Sequence, residues 1–193
     1  IKKRLRKAGE QLAEKIRKTD DDRLLIVIPD AHSPKCQYLV EGTQQVLGDQ
    51  FAITGGCVNK NAGQTFVHFG GKLYEDAAVA VMLSGDFKVS LAGRMAKTND
   101  AVIKSAGEGA AEAMKKFEGK PLAVLAFNCA GRRSKLDDYN EELQAIQTQI
   151  GEELPLFGCY CAGELGPVDG IEAKPGVRCG GSGWHVMFTV IGK

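Results

Sequence analysis

Residues 23–56 read RLLIVIPDAHSPKCQYLVEGTQQVLGDQFAITGG, and the order of apolar runs and breaks in them decides the class of fold. The apolar run from Leu24 to Ile28 is short and continuous and stops at Pro29, the pattern of a strand buried on both faces. CQYLVEGTQQVLG predicts a helix that closes at Gly48, the residue type favoured just past a helix end. FAITGG predicts a second buried strand. A strand, a helix and a strand in succession point to an α/β protein.

Working outward, IKKRLRKAGEQLAEKIRK (1–18) places Ile1, Leu5, Ala8, Leu12 and Ile16 at helical spacing, with Lys and Arg on the other face. That basic face is expected to be solvated, because it lacks the bulky aromatics of an interfacial anchor. QTFVHFGGKLYEDAAVAVMLSGDFKVSLAG (64–93) reads as an antiparallel meander broken at Gly70–Gly71 and Gly85–Asp86. TNDAVIKSAGEGAAEAMKKFEG (98–119) is a small-residue helix. KPLAVLAFNCAGRRS (120–134) is a buried strand running into a polar turn. LDDYNEELQAIQTQIG (136–151) is an amphipathic helix with carboxylates in its first turn, where the helix dipole favours them. LPLFGCYCAGELGPV (154–168) is a strand and loop, 169–183 is turn-rich, and WHVMFTVIG (184–192) is a final strand. The order α-β-α-β-β-β-β-α-β-α-β-β predicts mixed sheets with flanking helices in two α/β halves, with a soft boundary around residues 95–120.

The 193 residues are 44% hydrophobic and 25% charged, which excludes disorder and coiled coil. Lys plus Arg number 25 against 24 Asp plus Glu, so no global basic field gathers nucleic acid or anionic lipid. No apolar run is long enough to cross a bilayer and no signal peptide opens the sequence, so the expected setting is cytoplasmic, without membrane insertion. Six cysteines in a chain this long fall well short of a disulfide scaffold, and reduced thiols are expected.

Ligand sites of α/β sheets lie beyond the carboxyl ends of strands, where loops converge. Three such ends are rich in polar groups: Asp30 and His32 after the first strand; Asn128, Cys129, Gly131 and Arg132 after LAVLAF; and Tyr160, Gly163 and Glu164 after LPLFG. His185 opens the last strand and could line the same crevice. The glycines allow backbone amides to approach a ligand closely. The planar fork of Arg132 suits a carboxylate and Glu164 suits an ammonium, so together they suit a zwitterion. Structural zinc is disfavoured: the spacing of Cys159, Cys161, Cys179 and His185 is poor, and Cys159 and Cys161 are expected to point to opposite faces of their segment. A nucleophilic Cys129, with Arg132 lowering its pKa, is the enzymatic alternative.

The same motifs resemble the FIST family of sensory input domains. The likeness is carried by ITGG followed by the β-rich stretch to about residue 85. It continues in Cys129, Gly131 and Arg132 as a Cys-x-Gly-Arg motif, and in Gly158, Tyr160, Gly163, Glu164, Leu165, Gly166 and Pro167 as a Gly-x-Tyr-x-x-Gly-Glu-Leu-Gly-Pro motif. The resemblance implies a partial N-terminal half over residues 1–95 and a C-terminal half over 96–193. It implies a small-molecule sensor rather than an enzyme, for a small carboxylate or amino acid. The expected partner is a separate histidine kinase or chemoreceptor, and a homodimer is open. It also implies an alternative, a haem-binding nitric oxide sensor with His32 or His185 at the iron; no cofactor is otherwise implied.

Overall fold

A computed structural model of the chain describes residues 1–16, 19–30, 35–59 and 65–193. In chain order these form α1 (Lys2–Glu14), β1 (Asp22–Pro29), α2 (Cys36–Leu47), β2 (Ile53–Gly56), β3 (Val67–Phe69), β4 (Lys72–Tyr74), β5 (Ala78–Ser84) and β6 (Lys88–Met95). Then follow α3 (Asn99–Lys116), β7 (Pro121–Cys129), the single turn α4 (Ala130–Arg133), α5 (Tyr139–Ile150), β8 (Leu156–Cys161) and β9 (Glu164–Gly166). A 3₁₀ turn at Gly170–Glu172, β10 (Gly180–Ser182) and β11 (His185–Gly192) complete the fold.

The strands make two mixed sheets, ordered β10-β9-β2-β1-β5 and β6-β11-β7-β8, plus the β3–β4 hairpin. β1 and β2 are parallel across α2, and β7 and β8 are parallel across α5. The other pairings are antiparallel. The fold is therefore α/β with mixed sheets and flanking helices, as the sequence predicts.

Strand alternation arranges these parts into four layers. In β1, Leu25 and Val27 join Leu39 and Val40 of α2 and Ile53 of β2, with Leu12 and Ile16 packed against them. Leu24 and Ile26 face the other way, toward Leu91 of β6 and Leu125 of β7. In β7, Val124 and Ala126 meet Ala106, Ala110 and Ala113 of α3 and Ile146 and Ile150 of α5. Phe127 turns inward to Met187 and Cys161, with Ile26 and Ile28 opposite. The sheets thus pack face to face with a helix pair outside each, which explains why LLIVI and LAVLAF are continuously apolar.

The expected meander is corrected. Gly70 and Gly71, at φ 57° and 78°, do close a tight hairpin between β3 and β4. β5 and β6, however, do not pair with each other; β5 pairs with β1 and β6 with β11. At Gly85–Asp86 the chain crosses from one sheet to the other. Both strands are apolar enough to complete a buried sheet, and local sequence cannot say which.

The basic face of α1 is not wholly solvated either. Arg6 donates from Nε to Glu41 Oε2 at 2.7 Å, and its guanidinium lies 4.9 Å from the centre of the Tyr38 ring. The buried residues of α1 are Gly9 and Ala13, whereas Ile1 and Ala8 are exposed. Leu12 and Ile16 of the expected stripe do pack on the core, and the contact extends to Gly9 and Ala13 because α1 and α2 meet backbone to backbone at Gly9 and Gly42.

Candidate functional site

β7 and β8 run parallel in register, Asn128 beside Tyr160 and Cys129 beside Cys161. Their carboxyl ends therefore lie side by side, as the site reading requires. Alternation then sends the even positions toward α3 and α5 and the odd ones toward the first sheet.

The even side is a closed polar network. Arg132, 0% exposed, donates from Nε to Asn128 Oδ1 at 3.0 Å, from Nη1 to Ser105 Oγ at 3.0 Å, and from Nη2 to the Val102 carbonyl at 2.9 Å. Nη2 also reaches Glu142 Oε1 at 2.9 Å, and Glu142 is itself 1% exposed. Tyr160 donates its hydroxyl to Glu142 Oε2 at 3.0 Å. Burial, and then the Glu142 charge, push that phenol above its usual range. The fork of Arg132 is thus engaged within the protein, and its partner is Glu142 rather than a ligand or Glu164. This corrects the expected roles of Arg132, Asn128 and Tyr160: they tie α3, β7, α5 and β8 together. Glu142, read from the sequence as complementing the helix dipole, is the buried counter-charge.

The odd side is open. Cys129, Gly131, Ala162 and Gly163, from the loops after β7 and β8, line a cavity of about 560 Å³. Gly181 and Ser182 of β10, Gly183 and Trp184 between β10 and β11, Gln37 and Tyr38 of α2, and Val168, Glu172 and Lys174 complete its wall. The volume falls in the usual range of small-molecule sites, about 300–1,000 Å³. Glu172 and Lys174 are its charged lining residues among the described ones. Lys174 is held by Glu41 at 2.6 Å, and Glu172 accepts from the Ser182 hydroxyl.

Trp184, the chain's one tryptophan, is missing from the sequence reading of the site. Its backbone sits at φ 63°, a conformation that costs roughly 1–3 kcal/mol for a bulky residue. Its N–H donates to Cys129 Sγ at 3.2 Å, and its ring lies where a Cβ at Gly131 would be 3.2 Å away. Lys97 and Lys135 place their ammonium groups 5.7 and 5.8 Å from the ring centre. A lone Trp among glycines, GGSGWH, was the available signal.

Behind the cavity, Glu164 is fully buried on β9. Its Oε2 accepts from the His185 N–H at 3.1 Å, while Oε1 has no hydrogen-bond partner among the described residues. Burial pushes its carboxyl up to about 8, against the pull of the His185 amide and the Cys129 thiol. Between the ordinary 4.5 and about 8, the folded chain keeps a proton that the unfolded chain has lost. The stability so gained is complete below 4.5 and disappears as the pH rises through about 8, at up to about 1.4 kcal/mol per pH unit. Urea unfolding at a series of pH values should therefore show wild type losing stability across this window relative to Glu164→Gln. Parallel curves would mean that Glu164 is already ionised in the fold.

His185 is buried, with Nδ1 2.8 Å from the Gly183 carbonyl and Nε2 accepting from the Asp169 N–H at 3.1 Å. Nδ1 must therefore carry the proton, and neither nitrogen retains a lone pair for iron, so this histidine does not fit the haem alternative. His32 lies outside the described residues. Among the described residues, no three His, Cys, Asp or Glu side chains group to hold a metal ion. Asp30 directly follows the carboxyl end of β1 and accepts from the Asp76 N–H at 3.0 Å, bracing the turn into β5. Burial, then the Glu164 charge, raise the Cys129 thiol above its ordinary value, which keeps it protonated and opposes the nucleophile alternative. Cys159 and Cys161 correct a further expectation: positions two apart on a strand share a face, and their Sγ atoms are 3.5 Å apart.

No curated protein matches the sequence. No helix among the described residues is long and apolar enough to cross a membrane. The FIST N domain matches residues 2–115, which contain the first crossover unit and the strands through β6. With more than half of its length so matched, the chain belongs to the FIST family, a family of sensory domains in signalling proteins.

Proposed function

We propose that the chain is a ligand-binding sensory module whose ligand, a small carboxylate of the amino-acid class, occupies the cavity beside Trp184. The observation that carries this reading is the half-open cavity of about 560 Å³, bordered by the loops after β7 and β8 and lined by one cation and one anion. Lys174 replaces Arg132 as the group for a carboxylate, and Glu172 replaces Glu164 as the group for an ammonium. The apolar face of Trp184 offers a surface for the carbon skeleton between them. Cys57 exchanges backbone hydrogen bonds with Ala162 and Gly163, at 3.0 and 2.8 Å, which connects the cavity loop to the end of β2. Ligand closure of this loop selects one arrangement of the first sheet, which a histidine kinase or chemoreceptor partner then reads.

A thermal screen tests this. Ligand at about a hundred times its dissociation constant adds about 2.7 kcal/mol, which in a chain of this size raises the melting temperature by roughly 5–10 °C. Lys174→Ala should abolish the shift. Glu172→Gln should weaken amino acids more than simple carboxylates, since only the former carry an ammonium. No shift with either class, or a full shift in Lys174→Ala, would overturn the reading.

A further inference from the structure

β8 is the outer strand of the second sheet, bonded on one side to β7. Of the six cysteines, all reduced, only Cys159 is exposed. Two positions on, Cys161 is 3% exposed and packs with Phe127 and Met187, its Sγ lying where a Cβ at Gly56 would be 2.1 Å away. An accessible thiol therefore stands 3.5 Å from a shielded one on the same strand face. The Cα atoms of residues two apart on a strand are about 6.4–6.8 Å apart, at the upper end of the roughly 4.4–6.8 Å that a disulfide spans. Closure requires β8 to shorten locally at Tyr160, so that the two Cβ atoms come within the roughly 3.5–4.5 Å that a disulfide spans.

We infer that Cys159 and Cys161 form a redox-active dithiol that low-molecular-weight disulfides of the glutathione type oxidise to an intramolecular disulfide. The hydrogen bond from Cys161 lowers Cys159 to about 7 against the opposing effect of burial, so a large fraction is thiolate near neutral pH. Cys161, conversely, is raised and keeps the proton that it donates.

Cys159 Sγ attacks one sulfur of the reagent, whose S–S bond breaks. One thiolate leaves and takes up the proton that Cys159 lost. Cys161 then gives up its proton and attacks Cys159 Sγ, breaking the mixed disulfide and expelling the second thiolate, which is protonated in turn. Two protein thiols are oxidised to one disulfide, and one reagent disulfide is reduced to two thiols.

Oxidised glutathione followed by intact mass and peptide mapping tests the assignment. Wild type should lose two hydrogens, keep no adduct and show the Cys159–Cys161 link. Cys161→Ser should keep one glutathione on Cys159, and Cys159→Ser should neither keep an adduct nor form the link. The pH midpoint for alkylation of Cys159 should lie near 7 in wild type and move upward in Cys161→Ala, because the donated hydrogen bond is gone. A stable adduct on wild type, a link between other cysteines, or a midpoint unmoved by Cys161→Ala would each overturn the inference.

Discussion

Arg132→Ala is expected to lower the free energy of unfolding by about 3–5 kcal/mol, because it leaves Glu142 charged in the interior without its partner. In a chain of this size that lowers the melting temperature by roughly 10 °C. Arg132→Lys should recover little: one ammonium cannot reach Asn128, Ser105, the Val102 carbonyl and Glu142 from a single point. The double substitution Arg132→Met with Glu142→Met should recover most of the loss, since removing both charges removes the cost of burying them. Urea unfolding of the three variants decides it. A loss below about 1 kcal/mol in Arg132→Ala, or no recovery in the double variant, would remove the pair from the core of the fold. Binding by folded Arg132→Ala should persist, because Arg132 is not part of the cavity wall.

The second large effect lies at the contact of α1 and α2. Glycine to alanine inside a helix ordinarily stabilises by about 1 kcal/mol. At Gly42 the added Cβ would sit 1.9 Å from the Arg6 carbonyl oxygen, and at Gly9 it would sit 2.1 Å from that of Leu39. The obstacle is backbone, which cannot swing aside as a side chain can. Gly42→Ala should therefore destabilise by about 1–3 kcal/mol, and Gly42→Val should detach α1. Hydrogen exchange would show α1 amides losing protection while β7 and β11 keep theirs. An alanine variant more stable than wild type would show that the helices are not in backbone contact.

The sequence expresses the layers well and the side-chain geometry of the site less well. Continuous apolar runs at Leu24–Ile28 and Leu122–Phe127 report burial on both faces, and each precedes a helix that must cover a sheet. What such runs do not encode is partner choice, so β5 and β6 read as neighbours although they complete different sheets. The convergence of the loops after β7 and β8 was readable because parallel neighbours end together. Which residues point into the resulting cavity depends on strand parity: Asn128 and Tyr160 face the helices, while Cys129 and Cys161 face the other way. Arg132 found its counter-charge ten positions on, in the first turn of α5, where a glutamate has a sufficient local explanation already. Applied consistently, the same parity would have placed Cys159 beside Cys161.

The seating of β9 against β2 also sets the order in which the chain can complete itself. β2 is synthesised more than a hundred residues before β9, and β6 waits a similar interval for β11. During elongation from the N-terminus, the first crossover unit emerges with the outer margin of β2 unsatisfied, and neither sheet closes until the last strands leave the ribosome. Such long-range pairing makes closure slow and leaves apolar strand edges open to other chains meanwhile. Helix α3, whose buried alanines wait for Phe188 and Val190, belongs to the same late event.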